Sequence, residues 1–217
     1  MTKIYLTSAS SSTSKFPKEL LIWNYWDHEH VVGTHFEHYK KVKVILEKDN
    51  YCLSERTAKL PFIPFYFKEI EFMILTNPNQ MDVYHYGFFN IMKLNQKFVF
   101  EEDEKKNCTV TRHDYLEVPS ILKFLQPLFD KMMKKWFIKV WDEDMPMRER
   151  RLKVWKLGFN DFGGLDYVND PKATMIDRSE RAYEVKLPLP KVTQITKGGA
   201  HRLFKKSKHI GYGLPSL

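Results

Sequence analysis

Two histidines and an aspartate near the N-terminus have a spacing that suits metal binding. The segment 27–35 contains the pattern Asp-x2-His-x4-His, with Asp27, His30 and His35 at the marked positions. Two imidazoles and a distant carboxylate can form a facial triad, which holds a mononuclear non-haem iron and leaves one face open for substrate and dioxygen. Zinc accepts the same ligands. The spacing therefore predicts a mononuclear metal site, with Fe(II) as the main candidate and zinc as the lesser one.

The two histidines need an irregular backbone to meet at one metal. They are five positions apart, which is about 140° on an ideal helix. Gly33 lies between them and can relax a helix there. The carboxylate must come from elsewhere, and the end of a long C-terminal helix is a natural source. Two alternatives stay open: a zinc site made only of histidines, from His28, His35 or His38, and a histidine cluster that is structural and holds no metal.

A run of strand candidates follows the histidines. Asn77-Pro78-Asn79 is a strong turn signal between two of them. The candidates are rich in β-branched or alternating apolar residues and are separated by short turns, with no helices between them. This arrangement predicts one antiparallel, meandering sheet. The predicted strands cover 41–47, 51–57, 65–76, 81–89, 92–101 and 109–118.

The apolar period changes to three or four residues after the last strand. This period places the apolar residues in a stripe along one face of a helix. It predicts a long amphipathic helix that starts at Ile121, is kinked or broken by Pro146, and ends near Gly158. Residues 18–39 are predicted to form a short helix followed by an irregular His-rich turn. This helix, a curved antiparallel sheet of about six strands and the long C-terminal helix together form the α+β helix-grip fold. The stripe consists of Ile121, Leu125, Leu128, Met132, Trp136 and Val140, widened by Phe129, Met133 and Phe137.

The chain divides into three predicted regions. Residues 1–17 are predicted as a flexible leader, 18–158 as the folded domain, and 159–217 as an extended arm with a basic tail. The chain has two isolated cysteines, no apolar signal segment and no run long enough to span a membrane, so we expect a cytoplasmic protein. The net charge of +8 lies partly in the tail, which favours at most weak contact with anionic membranes. No motif for specific nucleic-acid recognition is present.

Residues 20–157 resemble the catalytic domain of Rieske non-haem iron oxygenases, which belongs to the START/Bet v1-like (SRPBCC) superfamily. The family's iron motif is Asp-x2-His-x4-His, and segment 143–149 is similar to its helix sequence of an acidic residue, Asp, a hydrophobic residue, Pro and a later Glu. The resemblance implies that Asp144 is the third ligand beside His30 and His35. It also implies that Asp27 is a catalytic residue that passes electrons to the iron.

The sequence lacks the residue pairs that bind the Rieske cluster in that family. The Rieske cluster needs Cys-x-His and Cys-x2-His pairs, and neither Cys52 nor Cys108 has such a partner. Under this resemblance the electrons would come from a separate ferredoxin or Rieske-type protein. Relatives are often trimers, so the resemblance also implies a homo-oligomer.

Two functions follow from these observations. The first is a binding module that holds a hydrophobic small molecule between the sheet and the long helix, next to a mononuclear metal site. The second is an iron-dependent oxygenase that hydroxylates or desaturates a hydrophobic substrate. The presence and identity of a metal distinguish them. In both cases the predicted cavity lining consists of Phe65, Phe67, Phe88, Met132 and Trp136.

Overall fold

The computed structural model describes residues 2–48, 50–59, 65–87 and 92–157, together with the backbone of 181–186. The helices are α1 (Lys18–Trp26), α2 (His28–Thr34) and α3 (Gln126–Lys156), with a 3₁₀ helix over Ser120–Leu125. The strands are β1 (Lys3–Ser14), β2 (Tyr39–Lys48), β3 (Tyr51–Ala58), β4 (Phe67–Asn77), β5 (Gln80–Gly87), β6 (Met92–Glu102), β7 (Cys108–Pro119) and β8 (Arg181–Lys186).

The strands form one antiparallel sheet in the order β1-β7-β6-β5-β4-β3-β2-β8. All six strands predicted from the sequence are present, and the long helix lies against the inner face of the sheet. The predicted helix-grip fold is therefore confirmed. Buried and half-buried residues alternate along β3, β5 and β6, as expected for strands with one face towards a core. The predicted turn at Asn77 closes through its Oδ1, which accepts a hydrogen bond of 2.8 Å from the amide of Asn79.

Strand β1 shows that the prediction of a flexible leader is wrong for residues 3–14. These residues pair with β7 along their whole length, from Lys3 opposite Pro119 to Ser14 opposite Cys108. The Ser/Thr-rich sequence is typical of a flexible segment, but threonine also suits a strand. Hydroxyl groups on the two strands bond each other, at 3.1 Å for Ser11 and Thr111.

Helix α3 starts later than predicted. Residues 120–125 form the 3₁₀ helix, and Ile121 is 70% exposed. Pro127 explains the shift, because inside a helix it would clash with the preceding turn, whereas in the first turn it is tolerated. The helix then runs past Pro146 to Lys156, so Pro146 does not break it. No helix among the described residues is both long and apolar enough to cross a membrane.

The core lies between the sheet, α1, α2 and α3. One cluster of buried side chains joins α1 and α2 to the second half of α3, and a smaller one joins Leu6 on β1 to Phe129 and Met133 on the first half of α3. The buried face of α3 also carries Asp144 and Arg148. Strand β8 belongs to the predicted arm 159–217. The rest of that arm, with its basic tail, lies outside the described residues.

Candidate functional site

Helix α2 and the residue after it bring His30 and His35 together with Asp144, which lies on the buried face of α3. One donor atom from each lies within 4.8 Å of the other two. Asp144 Oδ1 is 3.1 Å from His35 Nε2 and 3.6 Å from His30 Nε2. Ligand atoms at adjacent positions around a metal, with bonds of about 2.1 Å, are separated by about 3–3.5 Å. The spacing of these atoms therefore suits a small divalent cation.

The end of α2 explains how two histidines five positions apart can meet. The helix ends at Thr34, so His35 is the first residue beyond it. The backbone amide of His35 still donates to the carbonyl of Val31, over 3.0 Å, and the His35 carbonyl accepts from the amide of Tyr39. The chain thus turns sharply into β2 at His35. Its imidazole ring lies 5.5 Å from that of His30, with the planes at 73°.

Further polar groups orient each member of the triad. Asp144 Oδ2 accepts hydrogen bonds from Asn24 Nδ2 at 2.8 Å and from Arg148 Nη2 at 3.0 Å. Its other oxygen, Oδ1, is buried and accepts no hydrogen bond with good geometry from a described residue. The carboxylate therefore has one oxygen held by the protein and the other directed at His30 and His35. A buried charged oxygen without such a bond is costly unless a cation compensates it.

The outer nitrogen of each histidine faces a carboxylate. His35 Nδ1 is 2.7 Å from Glu143 Oε2, and His30 Nδ1 is 3.8 Å from Asp27 Oδ2. Asp27 is itself bound by Arg151. Carboxylates behind metal-binding histidines fix the ring orientation and the tautomer, leaving the other nitrogen free for a metal. The predicted catalytic residue Asp27 therefore lies beside the triad, in contact with one of its members.

The charges of the triad favour a cation. Burial would raise the pKa of the Asp144 carboxyl, but contact with His35 and the nearby His30 and Arg148 together lower it to about 2. Burial lowers the pKa of His30 to about 4, against the opposing effect of Asp144 and Asp27. At neutral pH the site thus offers an ionised carboxylate at Asp144 and a neutral imidazole at His30, which are the protonation states that metal binding requires. Burial alone lowers the pKa of His35, but hydrogen bonding to Asp144 and Glu143 and their charges raise it, so a metal ion would have to displace a proton from that ring.

A small cavity of about 80 Å³ adjoins the triad, and we call it the inner cavity. Asp144, His30 and His35 line one side of it. Apolar side chains from the sheet, among them Met81 and Phe98, line another. Its volume is well below the roughly 300–1,000 Å³ of typical ligand clefts, so it accepts a very small molecule or one end of a larger one.

A second buried polar group lies on the sheet wall of the inner cavity. His85 Nδ1 is 3.5 Å from both Glu69 Oε1 and Glu71 Oε2, and Arg56 pairs with Glu71. His85 Nε2 lies 3.0 Å from Gln96 Oε1. Burial alone lowers the pKa of His85, but hydrogen bonding to Glu69 and the charges of both glutamates raise it. Burial raises the pKa of Glu71 against the opposing effect of Arg56 and His85, so Arg56 and a protonated His85 can balance the negative charge of this group without a metal.

The alternative zinc site of His28, His35 and His38 is not brought together. His28 is fully buried, and its Nδ1 lies 2.8 Å from Arg56 Nη2 on the sheet. His38 Nδ1 lies 3.3 Å from the carbonyl of Lys59. Burial lowers the pKa of both side chains. The histidines are directed at different partners because the chain turns at His35, between the other two.

The predicted cavity-lining residues lie in different environments. Trp136 is buried and lines the inner cavity, and Trp136 and Met132 also line a second, larger cavity. Phe67 is buried in the smaller core cluster, whereas Phe65 is 55% exposed. Phe88 lies outside the described residues.

The sequence interpretation missed several groups that contact the site. They are Asn24, Glu143, Arg148 and Arg151 around the triad, and Glu69, Glu71, His85 and Gln96 on the sheet. Strand alternation could have identified the second set. In β4, for example, Glu69 and Glu71 lie in phase with the inward-facing Phe67 and Met73. An acidic residue at such a position is a signal for a buried polar site.

Comparison with solved structures identifies the fold class. A protein from Thermus thermophilus aligns with a TM-score of 0.52 and 16% identity, over 68% of this chain and 98% of that one. The Zhui aromatase/cyclase from Streptomyces sp. R1128 aligns with a TM-score of 0.52 and 12% identity, over 69% and 96%. A START superfamily protein from Mycobacterium smegmatis aligns with a TM-score of 0.51 and 10% identity, over 68% and 99%.

These likenesses show that the chain has the helix-grip fold of START/Bet v1-like proteins. At such identities they show the fold alone. No protein-family model matches the sequence, and no curated protein matches it.

Proposed function

We propose that this protein binds one divalent metal ion through His30, His35 and Asp144 and holds a small molecule with an apolar body beside it. The convergence of the three donor atoms at the buried Asp144 Oδ1 carries this proposal. The inner cavity adjoins these donors, and its apolar wall can contact the body of the molecule. At about 80 Å³, this cavity accepts a very small molecule or one end of a larger one.

The chemistry of the ligand set fits Fe(II) or zinc. Bound metal would supply a Lewis acid with open coordination positions, and iron would add redox chemistry. The surrounding residues have separate tasks. Asn24 and Arg148 hold the Asp144 carboxylate in place, and Glu143 holds the His35 ring. The burial of the site keeps bulk water away from whatever binds there.

An iron-dependent oxygenase is the alternative version of this function. The placement of Asp27 beside His30 favours it, because the residue implied to pass electrons contacts a proposed ligand. In this version a separate ferredoxin or Rieske-type protein delivers the electrons. Iron in the site is required for the alternative, whereas zinc would limit the protein to binding or to non-redox chemistry.

Metal content tests the proposal directly. Protein would be purified anaerobically without a His tag, incubated with Fe(II) or Zn(II), desalted and measured by elemental analysis. We expect about one equivalent of metal in the wild type and almost none in the His30→Ala/His35→Ala variant, as three-ligand sites depend on each ligand. His85→Ala, which removes a histidine of the second polar group, should keep the metal. Circular dichroism confirms that each variant is folded.

Two results would contradict the proposal. One is a wild-type protein that retains no metal after incubation with either ion. The other is equal metal loss in the His85→Ala variant, which would place the ion in the second polar group.

A further inference from the structure

The larger of the two cavities, here called the outer cavity, opens beside the first half of α3. Its volume is about 350 Å³, and it is lined by Glu37, His38, Lys59, Met132, Lys135, Trp136 and Lys139. This size lies within the roughly 300–1,000 Å³ of small-molecule sites. Its lining combines an apolar surface with several ammonium groups.

The charges of the outer cavity are unbalanced. Lys139 is paired, because it contacts Glu37 and lies 3.7 Å from Glu143 Oε1. Lys59 and Lys135 have no carboxylate within ion-pairing distance among the residues that the structure describes. Burial lowers the pKa of His38, which keeps it uncharged at neutral pH. Two lysines thus remain available to an anion.

An unused hydrogen-bond donor lies in the same wall. Trp136 is 6% exposed and lines both cavities, and its Nε1–H donates to no described residue. A buried indole N–H normally finds an acceptor. A ligand atom beside Trp136 would provide one. Since Trp136 lines both cavities, an occupant of either one could accept from this donor, and the observation is independent of the lysines.

Two features relate the position of the outer cavity to the triad. Trp136 is common to the linings of both cavities. In addition, Lys139 contacts Glu143, and Glu143 contacts His35 over 2.7 Å. The outer cavity therefore neighbours the proposed metal site, with Trp136 and the contact between Lys139 and Glu143 lying between the two.

From these features we infer that the outer cavity binds the negatively charged end of an amphipathic small molecule, with Lys59 and Lys135 as the anion-binding groups and Met132 and Trp136 as the apolar contact. The inference extends the proposed small-molecule function by naming the ligand class. It does not depend on the metal, because none of these four residues belongs to the triad.

Binding of simple probes tests the inference. Decanoate, decyl phosphate and 1-decanol share one apolar chain and differ in the charge of the head group. Isothermal titration calorimetry would measure their affinities for the chelator-treated full chain. We expect at least one of the two anions to bind at least about tenfold more tightly than the alcohol. The affinity for that anion should weaken as salt is added, because salt screens the attraction between charges. The tighter anion identifies the head group.

Two double variants isolate the lysines. Lys59→Gln/Lys135→Gln should weaken anion binding by about fivefold or more and leave decanol binding unchanged, since each lost ammonium–anion contact contributes a modest factor. The control, Lys123→Gln/Lys131→Gln, removes the same charge from exposed positions on the 3₁₀ helix and α3 outside the cavity. It should bind all probes as the wild type does.

Equal affinities of the wild type for the anions and the alcohol would overturn the inference. An equal loss of anion affinity in both double variants would also do so, because it would reflect net charge rather than a site. The His30→Ala/His35→Ala variant separates this inference from the metal proposal. It should bind the anions normally even if the wild type proves to hold no metal.

Discussion

Asn24 on α1 donates a hydrogen bond of 2.8 Å to Asp144 Oδ2 on α3, and both side chains are buried. The two residues lie far apart in the sequence, so this bond ties the N-terminal helix to the C-terminal one. Asn24 Oδ1 in turn accepts from Arg151 Nη1 at 3.0 Å. One amide thus bonds a buried carboxylate and a half-buried guanidinium at the same time.

The Asn24→Leu substitution tests this bond, since leucine has a similar volume but no hydrogen-bonding groups. We expect a loss of about 2–3 kcal/mol in the free energy of unfolding, because a bond to a charged group is removed and buried polar atoms lose their partner. Urea denaturation of metal-free protein would measure it. Asn95→Leu, at a half-buried strand position, is the matched control and should change stability much less. Similar losses in both variants would contradict the assignment.

Most of the fold could be predicted from patterns among residues that are close together in the sequence. Alternating strands and the Asn77 turn depend on neighbouring residues, so the sheet from β2 to β7 could be predicted. Strand β1 could not, because its serines and threonines fit both a loop and an edge strand, and only its pairing with β7 distinguishes them. The predicted start of α3 at Ile121 follows the apolar stripe, whereas Pro127 is tolerated only in the first turn of a helix, so the helix starts at Gln126.

The candidate site was predictable only in part. The spacing of His30 and His35 is visible in the sequence, whereas Asp144 came from a resemblance to a family. Contacts such as Asn24 with Asp144 join residues with no sequence relationship. They depend on how α1 packs on α3, which no pattern in either helix specifies. Inward-facing acids such as Glu71 are detectable by alternation, because they lie in phase with the buried apolar residues of β4.

Strand β1 should contribute strongly to stability. Leu6 is 2% exposed and packs with Phe129 and Met133 of α3, whereas its neighbour Tyr5 is 54% exposed. We expect Leu6→Ala to lower the free energy of unfolding by about 2–4 kcal/mol through lost burial and a cavity. Tyr5→Thr, which keeps a strand-forming residue, should cost less than about 1 kcal/mol. Urea denaturation measures both. A small effect of Leu6→Ala would mean that residues 3–14 are not docked.

His85 should make the stability of the protein depend on pH above neutrality. Its pKa is raised in the folded state, despite burial, by Glu69 and Glu71. Since the folded protein holds the proton more tightly, the stabilisation is complete below the unfolded pKa of about 6.5 and is lost as the pH rises through the folded pKa. The wild type should therefore lose stability relative to His85→Gln between these two values.

Urea denaturation at a series of pH values from 6 to 9, with a chelator present, measures this difference. His113→Gln, at a half-buried position on β7, is the matched control and should follow the wild-type profile. A stability difference between the wild type and His85→Gln that does not vary with pH would show that His85 is not protonated by its glutamate partners.

Cys108 can report on the pairing of β1 with β7. Its thiol is buried at the first residue of β7, opposite Ser14, and burial raises its pKa to about 12. The reactive thiolate fraction at pH 8 is therefore lower by about a thousandfold than for a thiol with a pKa of 9.

In a Cys52→Ala background, Ellman's reagent should label Cys108 at least about a hundredfold more slowly in native than in urea-unfolded protein. Adding Leu6→Ala should accelerate native labelling, because weaker docking of β1 opens this edge more often. Rapid native labelling that is unaffected by Leu6→Ala would show that Cys108 is accessible without the opening of β1.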